Sequence, residues 1–72
     1  MKSSDLITVD PGIMGGTPVF KGARVPVRTL FENLADGLSL DYYLETFPSV
    51  TRAAAVDMIR YGQQRIDHDL VA

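Results

Sequence analysis

Pro18-Val19-Phe20-Lys21-Gly22-Ala23-Arg24-Val25-Pro26-Val27-Arg28-Thr29-Leu30-Phe31-Glu32-Asn33-Leu34-Ala35 is the stretch in which the chain changes its period. Pro18-Val19-Phe20 and Ala23-Arg24-Val25 flank Lys21-Gly22, which predicts a tight hairpin with Gly22 supplying the positive φ. Alternation puts Val19 and Val25 inward if Arg24 faces out. Pro26 cannot donate to a ladder, so it belongs at an edge or opens the next helix. From Val27 the apolar residues Val27, Leu30, Phe31, Leu34 and Ala35 fall at helical spacing and predict one stripe on a helix.

Working outward toward the N-terminus, Leu6-Ile7-Thr8-Val9 reads as a short β-branched strand closed by the turn Asp10-Pro11-Gly12. Residues 11–18 carry Pro11, Gly12, Gly15, Gly16 and Pro18, which is loop chemistry. Toward the C-terminus, Gly37 suits the left-handed end of the first helix and Ser39 the N-cap of a second. Leu40, Tyr43, Leu44 and Phe47 repeat the helical spacing until Pro48, and Thr51 caps a third helix. That third helix is expected to face inward with Ala55, Val56, Ile59, Gly62 and Ile66, and outward with Ala53, Asp57, Arg60 and Gln64. The expectation is a single α+β, mainly α domain over residues 1–72. A β arm spans 6–26, a three-helix bundle of homeodomain-like, helix-turn-helix type spans 27–66, and a frayed tail spans 67–72.

Composition narrows the function classes. The 72 residues contain no cysteine, no tryptophan and one histidine, so disulfides are excluded and a structural zinc site nearly so. A domain this small buries only about 60% of its unfolded surface, and association is the remaining supplement. No apolar run approaches a membrane span and no signal peptide opens the chain, which makes cytoplasmic the default expectation. No Cys or Ser sits with a plausible His base, so the chain reads as non-enzymatic and without a cofactor. Seven Lys/Arg against nine Asp/Glu give a net charge of −2. The distribution is uneven: residues 1–30 carry +2 and residues 31–72 carry −4. Bulk charge does not favour nucleic acid, but the front of the chain is basic.

Several features could carry chemistry. The loop Gly12-Ile13-Met14-Gly15-Gly16-Thr17 does not open a helix, so a tight structural loop is a better reading than a phosphate cradle. Lys21, Arg24 and Arg28 fall on the hairpin and the start of the next helix. Exposed there, they could meet phosphates or the acidic metal site of a nuclease, since an arginine fork engages two carboxylates. The plain reading is a solvated edge whose charges deter aggregation. The second and third helices, joined by Pro48-Ser49-Val50, have helix-turn-helix spacing. This would place Thr51, Arg52 and Arg60 toward DNA, although Asp57 lies between the arginines and such corners are common in plain bundles. Tyr42, Met58 and Tyr61 lie off the main stripes and are candidates for an interface or for widening the core. His68 between Asp67 and Asp69 mimics a metal triad, but it lacks further ligands.

The segment Ile7 to Asp10-Pro11-Gly12, followed by Gly16-Thr17-Pro18-Val19-Phe20-Lys21-Gly22-Ala23-Arg24-Val25-Pro26-Val27, resembles domain-of-unknown-function family 433. Leu34-Ala35-Asp36-Gly37, Ser39, Phe47-Pro48, Val50-Thr51 and Ile59 to Tyr61 extend the resemblance over roughly residues 6–66. It implies a small homeodomain-like antitoxin of a type II toxin-antitoxin system, paired with a PIN-like nuclease toxin. It also implies a DNA-binding transcription repressor of its own operon. A homodimer is expected from the small size and because it would let two weak helix-turn-helix faces meet adjacent half-sites. The alternative is a protein-interaction module with no DNA-binding role. Many antitoxins wrap the toxin with a long disordered tail, which this sequence lacks, so neutralisation would fall to the folded domain or its arm. The signature positions Gly16, Pro18, Lys21, Gly22, Arg24 and Pro26 all lie in that arm.

Overall fold

In the computed structural model, which describes residues 3–71, the front of the chain is organised around β2, Val19–Phe20. β2 pairs antiparallel with β1, Ile7–Thr8, in the register Ile7 to Phe20 and Thr8 to Val19. On its other side an isolated bridge joins Val19 to Pro26. There the Phe20 N–H donates to the Val25 carbonyl at 3.0 Å, and the Val27 N–H to that of Pro18 at 3.0 Å. Pro26 has no N–H to contribute, which limits this side to a bridge rather than a ladder. The expected hairpin therefore exists as a narrow loop, while the main partner of Val19–Phe20 is the segment Ile7–Thr8. Covered from both sides, Val19 and Phe20 are both buried. A single helical turn, α1 (Ser3–Leu6), precedes β1 and was not expected from the sequence. A 3₁₀ turn at Met14–Gly16 closes the loop between the strands.

The helices start and stop where local chemistry dictates. α2 (Arg28–Ala35) ends with Gly37 at φ 81°. The Gly37 N–H donates to the Leu34 carbonyl at 3.0 Å and the Leu38 N–H to that of Asn33 at 3.1 Å. Those two bonds make a Schellman motif, which needs a left-handed residue at the position Gly37 fills. α3 (Leu40–Thr46) is capped by Ser39, whose Oγ accepts the Tyr42 N–H at 3.0 Å. α4 (Arg52–Val71) is capped by Thr51, whose Oγ1 accepts the Ala54 N–H at 3.1 Å. Each such cap stabilises its helix by about 1 kcal/mol. α4 runs through Val71, over most of the segment expected to fray; Ala72 lies outside the described residues. No Gly or Pro interrupts residues 63–71, and Arg65 and Asp69 approach to 3.8 Å one turn apart.

The core gathers Phe20, Val25, Leu30, Tyr43, Val50, Ala55 and Met58. The Tyr43 and Phe47 rings stack at a tilt, 4.9 Å between centroids. Leu6, Ile7, Val27, Leu40, Leu44, Ile59 and Tyr61 pack around this centre. The architecture is mainly helical with a small two-stranded antiparallel sheet.

Three expectations about facing need correction. Met58 is 1% exposed and belongs to the core rather than to an interface. It lies three residues after the buried Ala55, so both share the inner face of α4. Ile66, expected inside, is 59% exposed, because α4 outruns the body it packs on. The stripe on α2 is buried only at Leu30; Phe31, Leu34 and Ala35 are exposed. A helix with four apolar positions in eight residues presents a wider face than this small core covers.

Candidate functional site

The cationic arm is built from a turn and a loop. The Ala23 N–H donates to the Phe20 carbonyl at 3.0 Å, closing a β-turn over Lys21 and Gly22. Gly22 has φ 80°, the left-handed geometry required at the third position of a type II turn. The turn leaves Lys21 at the tip. Val25 then points into the core and Arg24 out, as alternation predicts.

The three cations of the arm differ in how they are held. Lys21 Nζ reaches the Ser4 carbonyl at 3.5 Å, a long contact. Arg28 Nε lies 3.8 Å from Glu32 Oε1 on the exposed face of α2, where water screens the pair. Arg24 has no hydrogen bond or ion pair among the described residues, so its whole guanidinium fork faces outward.

Arg24 also borders a cleft. With Thr8, Ile13, Val19, Gly22 and Ala23 it lines an open cavity of about 240 Å³. Ile13, Val19 and Ala23 give the wall an apolar character, Thr8 adds a hydroxyl, and Arg24 sets a positive charge at the lip. This volume suits one inserted side chain rather than a drug-sized ligand. The chain neighbours of two lining residues, Val9 and Met14, are exposed large apolar groups. Arginine and methionine are both enriched at protein interfaces, and Arg24 and Met14 both stand exposed on this part of the chain. Val9, Ile13 and Met14 were not singled out from the sequence as site residues. Their signal was apolar side chains inside Pro/Gly turn chemistry, where no core demands them.

The second candidate surface is the α3–α4 corner. Thr51 and Arg52 sit together at the start of α4, and Arg60 is exposed about two turns on. Thr51 Oγ1 is engaged as a cap, and the Arg52 guanidinium is paired with the Asp41 carboxylate from α3. Asp57, half-buried, lies between the two arginines. One of the two cations, Arg52, is thus offset by a carboxylate. Of the proposed interface residues, Tyr42 is half exposed, Tyr61 packs against the core, and Met58 is inside it.

Asp67, His68 and Asp69 occupy consecutive positions of α4. Successive residues of a helix diverge by about 100°, and among the described residues no group of three such side chains could hold a metal ion. Burial raises the Tyr43 hydroxyl pKa above its ordinary value, and its bond with Thr29 partly opposes this. No helix among the described residues is long and apolar enough to cross a membrane.

Comparison with known proteins places these features in a family. The profile described as "Protein of unknown function (DUF433)" matches residues 7–62, and the chain belongs to that family. The match runs from β1 through the arm and well into α4. One curated relative, "Uncharacterized protein y4eO" of Sinorhizobium fredii (strain NBRC 101917 / NGR234), is 44% identical over 46 residues. That alignment covers 64% of this chain but 21% of the relative, so the chain spans about a fifth of that protein's length. No solved structure matches the chain.

Proposed function

We propose that this member of the DUF433 family is a non-enzymatic, antitoxin-type module that binds and silences an acidic, PIN-like nuclease through its β arm. The observation that carries the reading is Arg24, a guanidinium without a partner among the described residues, at the lip of an apolar notch and flanked by Lys21. Metal-dependent nucleases gather carboxylates around a divalent ion. An arginine fork can engage two of those carboxylates and replace the ion's charge. Val9 and Met14 would add the apolar contact that turns a charge pair into a stable interface. The reading needs no cofactor and no membrane, and it sets the protein in the cytoplasm beside the nuclease's substrates. Co-expression with the product of the adjacent gene tests it. A nuclease-like neighbour should co-purify with this chain and lose its activity in the complex, and a neighbour that stays fully active in its presence would overturn the proposal.

A second role, repression of the chain's own operon as a homodimer, is favoured by one feature. α3 and α4 are each capped, by Ser39 and Thr51, and joined by a turn short enough for a helix-turn-helix pair. Thr51, Arg52 and Arg60 would meet the DNA, with Arg52 first leaving Asp41. Binding to the upstream region should then weaken steeply with salt. No binding at low salt would leave the protein-interaction module without a DNA role.

A further inference from the structure

α2 and α4 together expose an apolar strip that no described residue covers. Leu30 is sealed in the core, but Phe31, Leu34 and Leu38 remain 40%, 36% and 42% exposed. The Phe31 ring leans on α4 at Gly62, where an added Cβ would meet the ring at 3.4 Å. One turn beyond Gly62 along α4 stands Ile66, 59% exposed. Single apolar residues scattered over a surface carry no message, whereas several on two adjoining helices mark an interaction site. Past this point α4 is unsupported: every residue from Gln63 to Asp69 is exposed.

We infer that this strip is the interface with a second copy of the chain, the projecting end of each α4 lying antiparallel across the α2 of its partner. Area is the first argument. A compact monomer of 7.9 kDa should expose about 4,400 Å². This chain exposes 4922 Å², a surplus on the order of 500 Å². A stable interface takes roughly 800 Å² from each partner, so the surplus is a large part of one half-interface. Charge order is the second argument. Along α2 and just past it the order is Arg28, Glu32, Asp36; along the end of α4 it is Arg65, Asp67, Asp69. Laid antiparallel at a rise of about 1.5 Å per residue, Arg28 meets the partner's Asp69, and Glu32, four residues on, meets the partner's Arg65. The same patch serves both copies, as a two-fold interface requires. It leaves the arm and its cleft free, and it does not depend on the antitoxin reading.

Sedimentation velocity of the full chain at about 1–100 μM tests this. Wild type should sediment at twice the 7.9 kDa chain mass. Leu34→Glu and Ile66→Glu should each weaken association at least about 100-fold with unchanged far-UV circular dichroism, since both sites are exposed. Val9→Glu, at least as exposed but on the arm, should leave the dimer intact. A wild-type monomer at the highest concentration would overturn the inference. So would dimers that survive both helix substitutions, or dimers that only Val9→Glu dissociates.

Discussion

The Tyr43 hydroxyl lies 2.9 Å from Thr29 Oγ1, joining α3 to the first turn of α2. Thr29 Oγ1 in turn donates to the Pro26 carbonyl at 2.7 Å. With the threonine proton committed to Pro26, the tyrosine is the donor to Thr29. The relay ties the fully buried ring of Tyr43 to the residue where the arm joins the bundle. The arm is therefore seated on the core through side chains as well as through its sheet.

Breaking that relay at either end should cost unequal amounts. Tyr43→Phe removes one hydrogen bond and leaves Thr29 still bonded to Pro26, so a loss of about 1 kcal/mol is expected. Thr29→Val leaves the buried tyrosine hydroxyl without its acceptor and should cost about 2 kcal/mol. Urea denaturation of the two variants checks the order, and a larger loss from Tyr43→Phe would contradict it.

The same tyrosine predicts an alkaline limb of stability. Burial raises its pKa in the folded state above the ordinary 10.0, with the Thr29 bond opposing. The neutral phenol is thus favoured by folding. Its contribution is fully present below the unfolded pKa and declines as pH rises from there through the folded pKa. Unfolding free energies measured from pH 8 upward should fall less steeply for Tyr43→Phe than for wild type. Parallel curves would remove this cause.

Gly37 should be the most costly exposed residue to replace at the α2–α3 junction. Its φ is 81° and a Cβ there would meet nothing within 4 Å, so Gly37→Ala carries only the backbone penalty. That penalty is about 1–2 kcal/mol. Thermal melts should register it, and an unchanged Tm would mean the junction relaxes to another turn.

Met14 should trade stability for binding. It holds a left-handed φ of 50° while more than half exposed, so its conformation is strained and its side chain adds little to the core. Met14→Gly should raise stability by about 0.5–1 kcal/mol after the added freedom of the unfolded chain is counted. If Met14 contacts the partner beside the cleft, the same variant should bind several-fold more weakly. A stabilised variant with wild-type affinity would place the contact elsewhere.

What the sequence made legible was local. Gly37, Ser39 and Thr51 announce the helix ends because capping uses residues within five positions of one another. Arg24 was placed outward by the alternation that sends Val25 in. The pairing of Ile7–Thr8 with Val19–Phe20 is a non-local choice, and nothing in either dipeptide names the other. The cleft depends on a loop with three successive positive φ values, Met14 to Gly16, which brings Ile13 against Val19. The exposure of Phe31, Leu34 and Ile66 was hidden for another reason. A helical stripe reports which side is apolar, not whether the chain has enough other surface to cover it.

The guanidinium of Arg24, without a partner among the described residues, is proposed as the anchor of partner binding, and calorimetric titration of Arg24→Ala against the proposed nuclease partner tests this most directly. Truncating a central charged anchor costs about 2 kcal/mol or more, so affinity should fall at least about 30-fold while the melting temperature holds. Lys21→Ala and Arg28→Ala should each lose less, since each cation already has a contact in its own chain. Wild-type affinity in Arg24→Ala would contradict the account.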